Sequence, residues 1–186
     1  SRRFDMQFHP NLIFYRYLAG KYSNCISTGL EYLNKGVVEK EQNVGLICQA
    51  LGHAYNAIKD FSKAEEFYRR ALEYDYEDKT FYEEINDFLG NVHMNLQQYD
   101  RALSYYKKSG DLAISRLGCT IKEIEKGLVQ DVQLATIFYR IYCVYYAQGQ
   151  YDTANNWLRS SAQLGNSKAQ QMCIQNGIKF KVKSSK

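Results

Sequence analysis

Side chains able to do acid–base, nucleophilic or metal chemistry are present in this chain, but they are spaced for none of it. The histidines, His9, His53 and His93, stand far apart and do not pair at metal-ligand spacing. Cysteines at 25, 48, 119, 143 and 173 are odd in number and form no Cys-x-x-Cys pair. Cys48 falls on an apolar stripe and Cys25 on a position that elsewhere holds alanine, so the thiols read as small buried hydrophobes. That favours a reducing, cytoplasmic setting. Glu65 and Glu66 are adjacent, as are Glu83 and Glu84, so each pair diverges around a helix and describes a solvated face. The glycines are scattered singly, with no phosphate-cradling loop. The expectation is a non-catalytic protein with no catalytic residue, no metal and no cofactor.

The elements that would position any site announce themselves by repetition. An aromatic, two variable residues and a small residue recur at Tyr22–Cys25, Phe61–Ala64, Tyr99–Ala102 and Tyr151–Ala154. Leu51-Gly52 and Leu89-Gly90 precede the second and third copies, each Gly twelve residues before the Ala. Apolar residues recur at helical spacing almost throughout, interrupted by a single proline, Pro10. Each copy reads as helix, tight turn and antiparallel helix, with Asp60 placed to cap the helix that follows it. Gly52 and Ala64 are expected to face each other where the two helices cross. An internal period of this size marks a stacked-helix array whose units cannot bury their apolar faces alone.

Composition narrows the classes further. At 45% hydrophobic residues the chain excludes disorder, and no apolar run approaches membrane-spanning length, so no membrane insertion is expected. The net charge of +4 is matched by Lys179, Lys181, Lys183 and Lys186 in an acid-free tail, which leaves the body near neutral. A nucleic-acid footprint would cluster its charge on one face of the fold, so no nucleic acid is expected. The chain opens Ser1-Arg2-Arg3, which reads as a trimmed piece of something larger.

Cys48-x-x-Leu51-Gly52-x-x-Tyr55 followed by Ala64-x-x-x-Tyr68 resembles the tetratricopeptide repeat, as does Asn86-x-x-Leu89-Gly90-x-x-His93 followed by Ala102-x-x-x-Tyr106. A weaker copy keeps Tyr145, Gly149, Tyr151 and Ala154; the most degenerate keeps Gly20, Tyr22 and Cys25. Repeat-to-repeat distances are 39 (25 to 64), 38 (64 to 102) and 52 residues (102 to 154). The family period is about 34, so the units resemble the elongated repeats of kinesin light chains, LGN polarity adaptors and bacterial peptide-pheromone receptors. The end, Trp157 to Gln170, is similar to the Sel1-like variety.

The resemblance implies an all-α, right-handed α-solenoid of about four antiparallel helix pairs with a C-terminal capping helix. Units are expected at about 8–36, 42–77, 80–118 and 131–164, with a cap at 167–177, all in one domain over 1–178, and a flexible basic tail at 179–186. The insertion near 115–130 is either a lengthened helix or an extra turn. First helices of such arrays line a groove. Helical spacing assigns to it Gln49, His53 and Asn56, then Glu84, Asp87, Asn91, Met94 and Asn95, then Tyr139, Arg140, Cys143 and Tyr146. Asn91 matches a ligand-contacting Asn of the elongated relatives. Tyr55, Tyr68, Tyr106, Tyr145 and Tyr151 are assigned to the core. With Glu84 and Asp87 in the groove, the partner expected is a protein or extended peptide that is neutral or basic, and not an acidic chaperone tail. The function expected is a peptide-binding adaptor or scaffold. The alternatives are a peptide-sensing regulatory domain of a larger signalling or transcription protein and a structural subunit, with homo-oligomerisation open.

Overall fold

The computed structural model describes residues 10–36 and 41–181, and His9, Lys183, Lys186 and the Ser1-Arg2-Arg3 opening lie outside them. The described residues are all-helical, with α1 (Pro10–Leu18), α2 (Tyr22–Lys35), α3 (Glu41–Ala57), α4 (Phe61–Ala71), α5 (Thr80–Asn95), α6 (Tyr99–Leu117), α7 (Ile121–Glu125), α8 (Val132–Ala147), α9 (Tyr151–Gln163) and α10 (Ser167–Gln175). The chain divides into two compact units, Ser1–Lys79 and Thr80–Lys186. In the first, α1 packs on α2 and α3, and α3 on α4; in the second, α5 pairs with α6, α6 with α8, α8 with α9 and α9 with α10.

One turn closes all four helix hairpins, and it accounts for the fixed spacing inside each repeat. Asp60 N–H donates to Tyr55 O (2.9 Å) and Lys59 N–H to Asn56 O (3.0 Å). The same pair of bonds joins Gln98 to His93 and Gln97 to Met94, Gln150 to Tyr145 and Gly149 to Tyr146, and Lys21 to Arg16 and Gly20 to Tyr17. These are Schellman turns, which satisfy the last carbonyls of a helix through one left-handed residue. That residue is Gly20 (φ 71°), Lys59 (φ 64°), Gln97 (φ 57°) or Gly149 (φ 75°). Asp60 then caps α4, accepting from Lys63 N–H at 3.2 Å.

The crossing inside each pair is tighter than the Gly-to-Ala pairing foreseen. A Cβ on Gly52 would stand 2.6 Å from ring carbons of Tyr68, one helical turn beyond Ala64, and Gly90 faces Tyr106 in the same way. Both rings are buried because a bare backbone lies under them. In the pair α8 and α9 the corresponding positions are Tyr142 and Leu158, so glycine is lost where the tyrosine is lost. Gly90→Ala should therefore cost about 1–3 kcal/mol through overpacking, despite a gain of ~1 kcal/mol in helix propensity. Urea unfolding of Gly90→Ala, Tyr106→Leu and the double variant should reveal a coupling of about 1 kcal/mol or more; strict additivity would show that the ring and the backbone do not compete.

The insertion resolves into both expected forms: α6 runs on to Leu117, and α7 follows as a separate short helix. Thr120 and Glu123 cap α7 reciprocally. In the stretch assigned to a flexible tail, Lys179 and Lys181 are exposed but Phe180 is packed. Phe180 lies beside Ile178 against the core of α8, α9 and α10, and the Lys181 carbonyl sits over Gly127, where a Cβ would come within 2.7 Å. Tyr151 departs from its core assignment, being 57% exposed, whereas Tyr145 is partly buried and packs against the core.

Candidate functional site: the face of α5, α8 and α10

On α3, the three residues assigned to a groove are mostly consumed by packing. Gln49 and His53 are buried, and Asn56 is half-buried with its Oδ1 enclosed and without a hydrogen-bond partner among the described residues. The His53 ring stacks on Tyr17 at 5.1 Å, meets Phe14 edge-on at 5.9 Å, and shares a hydrogen bond of 2.7 Å between Nδ1 and the Tyr68 hydroxyl. Burial pushes the His53 pKa down to about 4 and raises that of Tyr68.

Asn91 of α5 occupies the equivalent place in the next repeat, and its Oδ1 accepts from the Tyr106 hydroxyl at 2.8 Å. The residue after each Leu-Gly pair thus satisfies the phenol that the glycine admits, since a buried hydroxyl without a partner is costly. In α8 the corresponding residue is Cys143, fifteen positions before Leu158, where no hydroxyl needs a partner. His53 and Asn91 are therefore structural partners of tyrosine, and the buried His53 departs from its assignment as an open ligand contact.

The rest of the assigned set lies in the second unit, and there the structure brings its members together. Asp87 and Arg140 form an ion pair between α5 and α8, with their side chains 14% and 30% exposed. The Asp87 Oδ1 is buried without a hydrogen-bond partner, and burial lowers the pKa of Arg140 from its ordinary value. Beside this pair opens a pocket of about 180 Å³ lined by Glu84, Asp87, Val132, Thr136, Ile137 and Arg140. Glu83 forms its floor, only 5% exposed, and is held by Arg116 Nε at 2.8 Å. Glu84 and Asn95 are exposed.

Tyr139, Tyr142 and Tyr146 run along α8 and continue to Tyr151 of α9, with ring centroids 5.4, 5.7 and 5.1 Å apart. Tyr142 is buried, whereas Tyr146 is 54% exposed, so the row rises from core to surface. On its other side Tyr139 meets α10: its hydroxyl donates to Met172 Sδ at 3.5 Å, and the Lys168 ammonium stands 5.1 Å from its ring centroid. Helical spacing within single repeats did not place Glu83, Thr136, Lys168 or Met172 in this face. Lys168 and Met172 lie four apart on the capping helix, and extending the groove pattern to that helix would have found them.

Among the described residues no group of His, Cys, Asp and Glu could hold a metal ion. Burial pushes the thiols of Cys25 and Cys48 up to about 11, so both are protonated at neutral pH. No helix among the described residues is long and apolar enough to cross a membrane.

Helix hairpins that close through one shared turn define a helical-repeat protein. Residues 46–78 and residues 87–117 each match a family model described as Tetratricopeptide repeat. The solved structure named MamA AMB-1 P212121 is similar in fold, with a TM-score of 0.57 at 16% identity over 91% of this chain and 81% of that one. Two segments of the chain thus resemble tetratricopeptide repeats, and the likeness in fold is to an α-solenoid. A search of the curated proteins finds no match.

Proposed function

We infer that this protein is a non-catalytic scaffold that holds an extended, neutral or basic segment of a partner protein on the α5–α8–α10 face. The observation that carries this reading is the pocket between α5 and α8. It combines Glu84 and the Asp87–Arg140 ion pair with apolar walls from Val132 and Ile137. Such a pocket favours a long cationic side chain whose stem packs on the walls, and it repels an acidic tail. Rigid, amphipathic tyrosines supply contact area at low entropic cost and serve as anchors. The long units and the Sel1-like end fit the elongated kind of repeat, and the buried free thiols fit a reducing, cytoplasmic setting.

Glu84 and Tyr146 are both exposed, so changing them leaves the fold intact. In affinity capture from the native cell, the variant Glu84→Lys with Tyr146→Ala should lose the partner that the wild-type chain retains, with unchanged circular dichroism. A partner retained equally by both would move the binding surface off this face.

A further inference from the structure

The sequence contains one Asn-Gly pair, Asn176-Gly177, and it stands where α10 ends. Both residues are exposed. Gly177 (φ 66°) is the left-handed residue of a turn in which its own N–H donates to Ile174 O at 3.2 Å and Ile178 N–H donates to Cys173 O at 2.8 Å. This turn aims the strap of residues 178–181. Ile178 and Phe180 pack against the core of α8, α9 and α10, and the Lys181 carbonyl reaches Gly127.

Asparagine followed by glycine is a self-reacting pair. The glycine nitrogen, once it has lost its proton to solvent, adds to the side-chain Cγ, and glycine has no Cβ to obstruct the approach. The Cγ–Nδ2 bond then breaks, and the side-chain nitrogen takes up a proton and leaves as ammonia. Water opens the resulting succinimide. Cleavage at Cγ gives Asp; cleavage at the main-chain carbonyl gives isoaspartate, whose backbone runs through the side-chain methylene. Nothing is oxidised or reduced. The folded turn obstructs the first step twice. Gly177 N–H is held by Ile174 O. Ring closure also needs Asn176 Cβ to eclipse the Gly177 nitrogen, and at the observed ψ of 5° the two are far from eclipsed.

We propose that Asn176 is a site of spontaneous deamidation, opened to reaction by release of the 178–181 strap, and that its products hold the strap released. Asp places a carboxylate at the C-terminal end of α10, where the helix dipole opposes it. Isoaspartate adds a methylene to the backbone of the turn, so its two hydrogen bonds and the seats of Ile178 and Phe180 no longer match one chain length. Asn166, which precedes Ser167, supplies the internal control: its Oδ1 accepts from Ala169 N–H at 2.9 Å and caps α10, so its side chain is held in place.

Peptide mapping by mass spectrometry, with enzymatic methylation to mark isoaspartate, tests this on the whole chain and on a synthetic peptide of residues 170–181 in the same mildly alkaline buffer. In the whole chain, deamidation should appear first at Asn176 and run about tenfold or more slower than in the peptide, the protection of a site that reacts only on local opening. Phe180→Ala removes an anchor but neither reacting residue, and should recover most of that difference with unchanged circular dichroism. Asn176→Asp should speed trypsin cleavage after Lys179, because the strap must leave its seat for a protease to act on it, whereas Asn176→Gln should not. Equal rates in chain and peptide, or a Phe180→Ala rate no faster than the wild type, would overturn gating by the strap. Deamidation at Asn166 or another asparagine before Asn176 would overturn the site, and trypsin cleavage unchanged by Asn176→Asp would overturn the consequence.

Discussion

Arg116→Met should destabilise the second unit by about 3–5 kcal/mol, the penalty of removing one partner from a buried charge pair. Glu83 lies on α5 with its side chain only 5% exposed, and Arg116 Nε from α6 meets its Oε1 at 2.8 Å. The same guanidinium reaches Asp131 at 3.8 Å, and Asp131 caps α8 by accepting from Leu134 N–H at 2.7 Å. One cation therefore ties the start of α5, the end of α6 and the start of α8. Methionine keeps the length and apolar stem of the side chain, so what is lost is the charge. Urea unfolding should show the full penalty for Arg116→Met and a much smaller one when Glu83→Gln is added, because a neutral amide tolerates burial far better than a carboxylate. If the double variant is no more stable than the single one, the cost lies in packing and not in the stranded carboxylate.

The consequence reaches the candidate site. Glu83 forms the floor of the pocket whose mouth is set by Asp87 and Arg140. Arg116 thus offsets the charge of Glu83 as Arg140 offsets that of Asp87. The hydrogen bond from Ser109 Oγ to the Glu83 carbonyl at 2.7 Å fixes the same turn of α5 against α6. The floor of the pocket is thereby held by two side chains of α6, Ser109 and Arg116.

What the sequence reveals here follows from what a helix makes periodic. The Leu-Gly and aromatic-x-x-small phrases locate the hairpins because the turn between them is one hydrogen-bonded pattern of fixed length. Depth is less legible. His53, Asn91 and Cys143 share one position in the repeat, and helical spacing puts all three on the same face. Whether such a residue meets a ligand or a buried phenol depends on the residue fifteen positions later. Tyr68 and Tyr106 have hydroxyls to satisfy, and Leu158 has none. That correlation is written in the sequence, but it only becomes meaningful once Gly52 and Gly90 are seen beneath the rings. Asp87 and Arg140 pair across 53 positions (87 to 140), and no local pattern announces a contact of that kind. Tyr151 shows the opposite failure: its place in the repeated phrase suggests core, yet it prolongs an aromatic row into solvent.

Acid should weaken this protein through His53 before it protonates most exposed carboxylates. In the folded chain burial holds the His53 pKa down to about 4, whereas an unfolded histidine titrates near 6.5. The unfolded state therefore takes up a proton that the folded state refuses across this interval, so stability is complete above about pH 6.5 and falls as the pH drops toward 4. Each pH unit in the window costs up to about 1.4 kcal/mol, and the whole of it about 3 kcal/mol. Tyr17 stacks on the ring, Phe14 meets its edge, and Tyr68 bonds to Nδ1, and none of these three is a carboxylate. The next repeat supplies the control, because Asn91 does for Tyr106 what His53 does for Tyr68 without titrating. His53→Asn should keep the tyrosine hydroxyl satisfied, lose some ring packing at neutral pH, and flatten the stability profile between pH 6.5 and 4. His53→Phe should flatten it equally but leave the Tyr68 hydroxyl unpaired, at about 1–3 kcal/mol at every pH. A wild-type profile that is already flat across this window would mean that the ring protonates in place, and that His53 is more open to water than its burial implies.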